Sequence, residues 1–485
     1  MNHKGTALVT DLYQLTMAQG YWENGKENEQ ACFHMYFREN PFKGGFAIAC
    51  GMAQLAEIIE EFHFSSSDIE YLSSLEAPGG GRLFKEEFLK YLLNFELRVD
   101  VDAVREGTVV FPNEPLVRVV GPIMHCQLLE TALLNCVNFE TLIATKAARV
   151  CHVAQLPVME FGLRRAQGAG GGMWASRSAV VGGCASTSNV LAGKLYNIPV
   201  SGTHAHSWVM AFDDEIEAFR AYARAMPKNC VLLVDTYDAL QGVKNAITVG
   251  IEMRDCGEKL AGIRIDSGDL AWLSKMARAM LDDAGLKECG IVLSNDLDEY
   301  TIQSLRDQGA CATSYGVGTK LATAYDQPTL GGIYKLSALK PEGSEVWQDC
   351  LKVSEQASKM TVPGILDTRR YYHENGLIAG DMVFDTVAGV DKRERIIDPE
   401  SELRQKSLFG KRWETLLQPL AREGVTQLPE EFCDALVARS YAASQIETLD
   451  ETQKRMLNPH SYPVGLECGL FERRRNLVVK LRAFQ

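Results

Sequence analysis

Along the middle of the chain, apolar positions recur in short blocks, and each block ends in polar or glycine-rich residues. The blocks at residues 158–162, 200–203, 231–234, 263–265, 291–293 and 315–317 have the length and composition of buried strands. Residues 332–336 read as one more. Helical periodicity fills the gaps, most clearly at residues 270–284, stopped by Gly285, and 298–308, stopped by Gly309. Glycine suits the position just past a helix because the backbone there turns left-handed. Strand, loop and helix in repetition predict a parallel sheet flanked by helices. Six or seven repeats in about 180 residues predict an α/β fold of the irregular, TIM-like barrel kind.

The flanks read differently. A helix begins at residues 11–17, a strand covers 31–37, and an amphipathic helix covers 52–62. Residues 97–120 alternate like a strand pair punctuated by Gly107, Pro112 and Pro115, and 127–153 form a long, mostly apolar helix. After about residue 340 the chain is polar, with turns at Pro341-Glu342-Gly343 and Pro363-Gly364. Helices follow around 429–440 and 448–456, then a basic segment at Arg473-Arg474-Arg475. The expected organisation is an N-terminal α+β segment at 1–130, a barrel catalytic domain at 131–340, and a C-terminal segment at 341–485. The last packs on the first, so that the two terminal segments build a second, α+β domain.

Composition narrows the function. Among 485 residues, 46% are hydrophobic and 23% charged, which excludes disorder as the main description. Lys plus Arg number 50 and Asp plus Glu 63, so the net charge is 50 − 63 = −13. That balance argues against general nucleic-acid binding, which needs basic contacts to phosphates. The thirteen cysteines contain no CxxC pair, which excludes zinc-ribbon and thioredoxin-type sites. Scattered single thiols point to a reducing, cytoplasmic setting. Residues 1–9 carry no secretory pattern, and no apolar run approaches the roughly 20 residues of a membrane span.

In a parallel barrel, chemistry collects at the carboxyl ends of the strands. Those ends here carry Arg164-Arg165, Thr203-His204-Ala205-His206, Asp235-Thr236-Tyr237-Asp238, Arg264-Ile265-Asp266-Ser267-Gly268-Asp269, Ser294-Asn295-Asp296 and Gly316-Val317-Gly318-Thr319-Lys320. Arg264 and Asp266 are two apart on a strand and share a face, as a structural ion pair or as an anion site. His204 and His206 are also two apart. Either is a hydrogen-bonded strand-end histidine, a general base or phosphate-accepting nucleophile, or one of a pair of metal ligands. The Gly316–Lys320 stretch, numbered 316–320, offers backbone amides, a hydroxyl and an ammonium to a phosphate, though it is not a Walker loop. The glycine run at 168–172 fails the dinucleotide fingerprint because Met173 takes the sixth place; it is a mobile loop over an anion or a solvated connection. Together these groups describe a site for a polyphosphorylated small molecule with a divalent cation.

The ordered motifs resemble those of the nicotinate phosphoribosyltransferase family, from residue 6 to about 475. The resemblance is carried by Thr10-Asp11-Leu12-Tyr13-Gln14, Phe161-Gly162-Leu163-Arg164-Arg165-Ala166-Gln167-Gly168 and Ser188-Asn189-Val190-Leu191-Ala192-Gly193. It continues through Gly202-Thr203-His204-Ala205-His206-Ser207, Val234-Asp235-Thr236-Tyr237, the Arg264 and Ser294 segments, Gly316-Val317-Gly318-Thr319 and Asn458-Pro459-His460. It implies an ATP-coupled enzyme, a ligase and glycosyltransferase, that joins nicotinate to 5-phosphoribosyl 1-pyrophosphate (PRPP) on the salvage route to NAD. It implies transient phosphorylation of His206, with Asp235 and Asp266 orienting that histidine, the ribose hydroxyls or Mg²⁺, whose ligands it leaves unassigned. Tyr13, Thr203, Arg264 and Phe161 would hold nicotinate, Tyr13 reaching in from the second subunit of a homodimer. Arg164, Arg165, Ser267, Gly268, Asn295, Gly316, Gly318 and Thr319 would hold the phosphoribosyl and phosphate groups.

Two segments depart from the family pattern. Gly170-Gly171-Gly172 replaces a stretch that usually carries an Asp, and Gly183-Cys184-Ala185-Ser186 stands where Gly-Phe-Asp-Gly is frequent. The competing readings are the sister enzyme that uses nicotinamide, a metal-dependent barrel hydrolase built on His204, His206 and Asp266, and a non-catalytic nucleotide-binding relative.

Overall fold

A computed structural model describes residues 7–354 and 360–483 of the chain; residues 1–6, which include most of the stretch read above for a targeting signal, lie outside it. The chain divides into two compact units, one from residue 146 to 328 and one built from the flanking chain on both sides.

The central unit contains six short strands: β1 (Val158–Glu160), β2 (Ser186–Thr187), β3 (Val231–Leu233), β4 (Gly262–Ile265), β5 (Gly290–Ser294) and β6 (Ser314–Val317). All are parallel, in the order β2-β1-β6-β5-β4-β3. Consecutive strands are therefore neighbours, and the last pairs with the first, Tyr315 opposite Val158 and Val317 opposite Glu160. The ladder is interrupted between β2 and β3. The strand expected at 200–203 supplies one parallel bridge, Val200 to Thr187. Pro199 offers no amide hydrogen and Gly202 no side chain to pack, so pairing there stays minimal. Leu232, Ile263, Ile265, Ile291 and Leu293 are fully or almost fully buried, as parallel strands covered on both faces require.

Eight helices accompany these strands: α1 (Gly168–Val181), α2 (Val190–Tyr196), α3 (His206–Met210), α4 (Glu215–Ala225), α5 (Ala239–Asp255), α6 (Leu270–Asp283), α7 (Glu299–Asp307) and the short α8 (Thr319–Ala322). Four begin at an aspartate, Asp214, Asp238, Asp269 and Asp298, whose side chain accepts a hydrogen bond from a first-turn amide. Such caps satisfy amides that the helix leaves unbonded. The glycine run at 168–172 is neither a mobile loop nor a connection: it forms the first turn of α1. Gly172 there faces Leu163, whose Cδ1 would stand 2.7 Å from an added Cβ.

In the flanking unit, the strand Gln30–Tyr36 pairs antiparallel with Ile333–Lys340 on one side and Val117–Pro122 on the other. Asp100–Val104 pairs with Leu417–Arg422, so N-terminal and C-terminal chain share one seven-stranded sheet. This corrects the reading of residues 332–336 as another parallel strand. Tyr334 stacks on Phe33 at 4.9 Å and donates its hydroxyl to the Cys126 carbonyl, interactions that alternation alone does not foretell. The unit boundaries accordingly fall near 146 and 328 rather than 131 and 340, the first of them within the helix Glu130–Ala154. The polar region after 340 contains a six-stranded sheet with a buried ion pair, Arg370 Nη2 to Asp381 Oδ2 at 2.6 Å. Residues 448–456 form turns rather than the expected helix. No helix among the described residues is long and apolar enough to cross a membrane.

Gly242 on α5 tests how tightly helix and strand fit. A Cβ there would lie 1.9 Å from the Val234 carbonyl oxygen, one residue before Asp235. Gly242→Ala is expected to cost about 1–3 kcal/mol by overpacking, read as a lowered Tm in a thermal melt. An unchanged Tm would contradict that fit.

Candidate active site

Because the six strands are parallel, their carboxyl ends lie on one edge, where an open cavity of about 530 Å³ is found. Phe161, Leu163, Arg164, Ser188, Thr203, His204, His206, Arg264 and Asp266 contribute to its walls.

Arg264 organises this edge. Nε donates to Ser294 Oγ at 2.7 Å, Nη2 to Asp266 Oδ1 at 2.8 Å, and Nη1 to Thr203 Oγ1 at 3.3 Å. Three of the five guanidinium N–H groups are thus engaged, leaving one on each terminal nitrogen for an anion. The Phe161 ring centroid lies 5.6 Å from the guanidinium carbon. The i, i+2 spacing on β4 places Arg264 and Asp266 on one face, and Asp266 Oδ1 also accepts from Ser294 Oγ at 2.5 Å.

Asp235, just beyond β3, reaches across to the same segment. Its Oδ2 accepts from the Asp266 amide at 2.9 Å and from Ser267 Oγ at 2.6 Å. Its Oδ1 is buried and has no hydrogen-bond partner. A buried carboxylate oxygen left unbonded is costly, and its chemistry suits a hard divalent cation. On this edge Asp235, with Asp266 joined to it through its backbone amide, could hold a Mg²⁺ ion.

The two histidines separate. His204 is buried; its Nε2 accepts from the Leu233 amide at 3.2 Å and its Nδ1 faces the Ala205 carbonyl at 3.3 Å. Both ring nitrogens are occupied, so His204 has no lone pair for a metal, which removes the histidine pair on which a barrel hydrolase would depend. Burial holds its imidazole below the ordinary value, helped by the nearby charges of Arg264 and His206 and opposed by the Ala205 carbonyl. His206 opens α3 with its side chain 40% exposed. Its Nδ1 lies 3.2 Å from Thr236 Oγ1 and its Nε2 4.0 Å from Asp266 Oδ2.

The remaining expected residues are distributed along the edge. Arg164 and Arg165 form an exposed single turn of 3-10 helix after β1, and only Arg164 reaches the cavity wall. Thr319 starts a short helix after β6, with Gly318 at its cap. Ser267 and Gly268 occupy the exposed turn after β4, and Asn295 follows β5 with φ +109°. Gly316 does not line the cavity: it is buried, and a Cβ there would meet the Phe161 ring at 2.7 Å, so its role is to seat that ring. Tyr13 belongs to the helix Leu12–Glu23 of the other unit and is about half exposed. The sequence pattern placed Ser294 at a strand end and Ser188 in a family motif without giving either a role, and it left Glu160 out of the site. Ser294 ends β5 and Ser188 follows β2, which is their only local signal, whereas Glu160 is detectable as a charge ending an apolar strand.

Family models cover most of the chain: the nicotinate phosphoribosyltransferase (NAPRTase) N-terminal domain at residues 8–138, the family core at 156–362, and the C-terminal domain at 367–474. The nicotinate phosphoribosyltransferase of Bacillus subtilis (strain 168) is 42% identical over 488 residues, spanning 98% of this chain and 96% of the relative. The human protein of that name is 33% identical over 537 residues, spanning 99% and 97%. A crystal structure of human nicotinic acid phosphoribosyltransferase superposes with a TM-score of 0.83 at 30% identity, covering 96% of this chain and 99% of that one. A nicotinate-nucleotide pyrophosphorylase from Pyrococcus furiosus shares the fold, with a TM-score of 0.67 at 20% identity over 91% and 95%.

The geometry of His204 sets a pH dependence. An unfolded histidine takes up its proton near pH 6.5, before the folded one does, so acid favours unfolding. The stability contributed by neutral His204 is complete above about pH 6.5 and is lost as pH falls through the lower folded value. Denaturant melts of wild type and His204→Gln between pH 7.5 and about pH 5 should show a steeper acid loss for wild type. Parallel curves would refute it.

Proposed function

The chain belongs to the nicotinate phosphoribosyltransferase family and is a phosphoribosyltransferase; we propose that its strand-end cavity joins nicotinate to PRPP with coupled ATP hydrolysis. The observation that carries this reading is the half-used guanidinium of Arg264. Asp266, Ser294 and Thr203 fix its plane, and its two remaining N–H groups present a fork to one carboxylate. Nicotinate carries that carboxylate, and nicotinamide does not. Phe161 supplies an aromatic wall for the pyridine ring.

The pyridine nitrogen attacks C1 of the ribose as the bond to pyrophosphate breaks. Positive charge develops at the sugar and negative charge on the leaving group, so catalysis rests on holding both partners in line and stabilising pyrophosphate. Arg164 and Arg165 meet its oxygens from one side, and Thr319 with the amides around Gly318 holds the 5-phosphate. Ser267, Gly268 and Asn295 complete the ribose and phosphate contacts. Mg²⁺, held by Asp235 and Asp266, would screen the charge of the pyrophosphate. The unbonded Oδ1 of Asp235 supports that assignment.

His206 takes the terminal phosphoryl group of ATP: a ring nitrogen bonds phosphorus as the bond to the ADP oxygen breaks, and water later releases phosphate. Its exposure and its place between Thr236 and Asp266 support this role. The net reaction yields nicotinate mononucleotide, pyrophosphate, ADP and phosphate.

The reading extends to architecture and setting. The sequential strand order, with β6 beside β1, supports an irregular barrel opened at the β2–β3 seam. Exposed Leu12, Tyr13 and Met17 on one N-terminal helix support a homodimer in which Tyr13 stacks on the partner's nicotinate. Thirteen cysteines, none of them in a disulfide, support a cytoplasmic location.

Turnover measured with PRPP and either nicotinate or nicotinamide, each with and without ATP, is expected to be fastest with nicotinate and ATP. A preference for nicotinamide would reverse the role of Arg264. Incubation with ATP followed by phosphohistidine detection should give a signal in wild type that His206→Ala lacks; a persisting signal moves the phosphoryl acceptor elsewhere. Arg264→Lys, which offers a point charge instead of a fork, should raise KM for nicotinate by about tenfold or more.

A further inference from the structure

Resting on the reading above, we infer that Glu160 is a positioning residue: it sets the arginine turn and the Ser188 wall of the cavity without itself forming that wall. Glu160 ends β1 and is 1% exposed. Its Oε1 accepts from the Gly162 amide. Its Oε2 accepts from Ser176 Oγ on α1 at 3.0 Å and from Thr187 Oγ1 on β2 at 2.6 Å. One carboxylate therefore gathers the chain after β1, the third turn of α1 and the end of β2. A buried charge is tolerable when its oxygens are saturated with donors, and all three groups arriving here donate.

Asn189 closes the cluster. Its Nδ2 donates to Ser176 Oγ at 3.1 Å, its amide donates to Thr187 Oγ1 at 3.0 Å, and its Oδ1 caps α2 at the Ala192 amide. The Glu160 carbonyl accepts from the Ser188 amide at 2.9 Å. Phe161, Leu163, Arg164 and Ser188, four residues of the cavity wall, thus follow directly from groups that this carboxylate or its backbone holds. Gly162 adds a second constraint. A Cβ there would lie 2.3 Å from Ala322 Cβ and 2.8 Å from the Gly318 oxygen, so the arginine turn is pressed against the loop that carries Thr319. Loosening Glu160 changes the distance between the two phosphate-facing segments; Phe161 and, through the Thr187–Val200 bridge, the 203–206 segment feel it less directly, while Arg264, Asp266 and Ser294 keep their own bonds on β4 and β5.

The consequence falls mainly on PRPP, whose expected contacts include the Arg164 turn. Displacing a substrate-holding group by about 1 Å can cost up to about a hundredfold. Glu160→Ala is expected to lower kcat/KM for PRPP by about tenfold or more, mainly through KM, with KM for nicotinate changed less. Glu160→Gln retains an acceptor for the Gly162 amide, while the hydroxyls can turn to accept, so it should return to within about threefold of wild type. A merely structural role would reduce the amount of active enzyme, and hence apparent kcat, with both KM values unchanged; that result overturns the inference, as does a Glu160→Ala variant within twofold of wild type. If Glu160→Ala does not fold, Thr187→Val removes one donor at constant shape and must still raise KM for PRPP; an unchanged KM refutes the role. Absence of turnover by wild type would instead overturn the enzymatic reading, and this role with it.

Discussion

A guanidinium at the mouth of a parallel sheet is the constraint from which the site follows. Arg264 projects from β4 into a cavity whose walls are partly apolar, where an isolated charge would be prohibitive. Asp266, two residues on and on the same face, answers it directly, and Ser294 bonds both members of the pair. The Asp266 amide in turn bonds Asp235, which ties β3 to β4, while Ser294 ties β5. The pair is thus neutralised without consuming every donor of Arg264. That incomplete use leaves two N–H groups open at the cavity, in contrast to the ion pair Arg370–Asp381, whose Nε and Nη2 both close on one buried carboxylate.

The two histidines illustrate how little spacing alone decides. His204 and His206 are both strand-end imidazoles of the same short motif. The first turns inward, where a backbone amide and a carbonyl take its nitrogens and burial keeps it neutral. The second begins a helix and stays open beside Thr236 and Asp266. A metal-binding H-x-H and a structural-plus-reactive pair have the same sequence, and only the partners of each ring nitrogen separate them.

Carboxylates in the central unit divide the work in a similar way. Asp266 answers a cation, Asp235 answers an amide and a hydroxyl and keeps one oxygen unbonded, and the Asp caps close helix ends. Glu160 is surrounded by neutral donors drawn from three segments. A count of acidic residues gives the sign of the protein's charge; the donors around each oxygen give its task.

The parallel sheet and the gathering of charged and polar residues at its strand ends were legible in the sequence. Strand periodicity, glycine stops and i, i+2 pairing are local, and local patterns survive without tertiary context. The strand assigned to residues 332–336 and the glycine run at 168–172 were misread for the converse reason. A strand's partner is chosen by groups hundreds of residues away, here the Phe33 ring and the Cys126 carbonyl, and a glycine run becomes a helix turn when Leu163 packs against it. Sequence determined which chemistries the strand ends contain, because residue type and spacing fix charge and facing. Tertiary structure alone decided which of those groups remain unsatisfied and therefore free to act, because satisfaction of a donor or acceptor depends on atoms that only the fold brings within hydrogen-bonding distance.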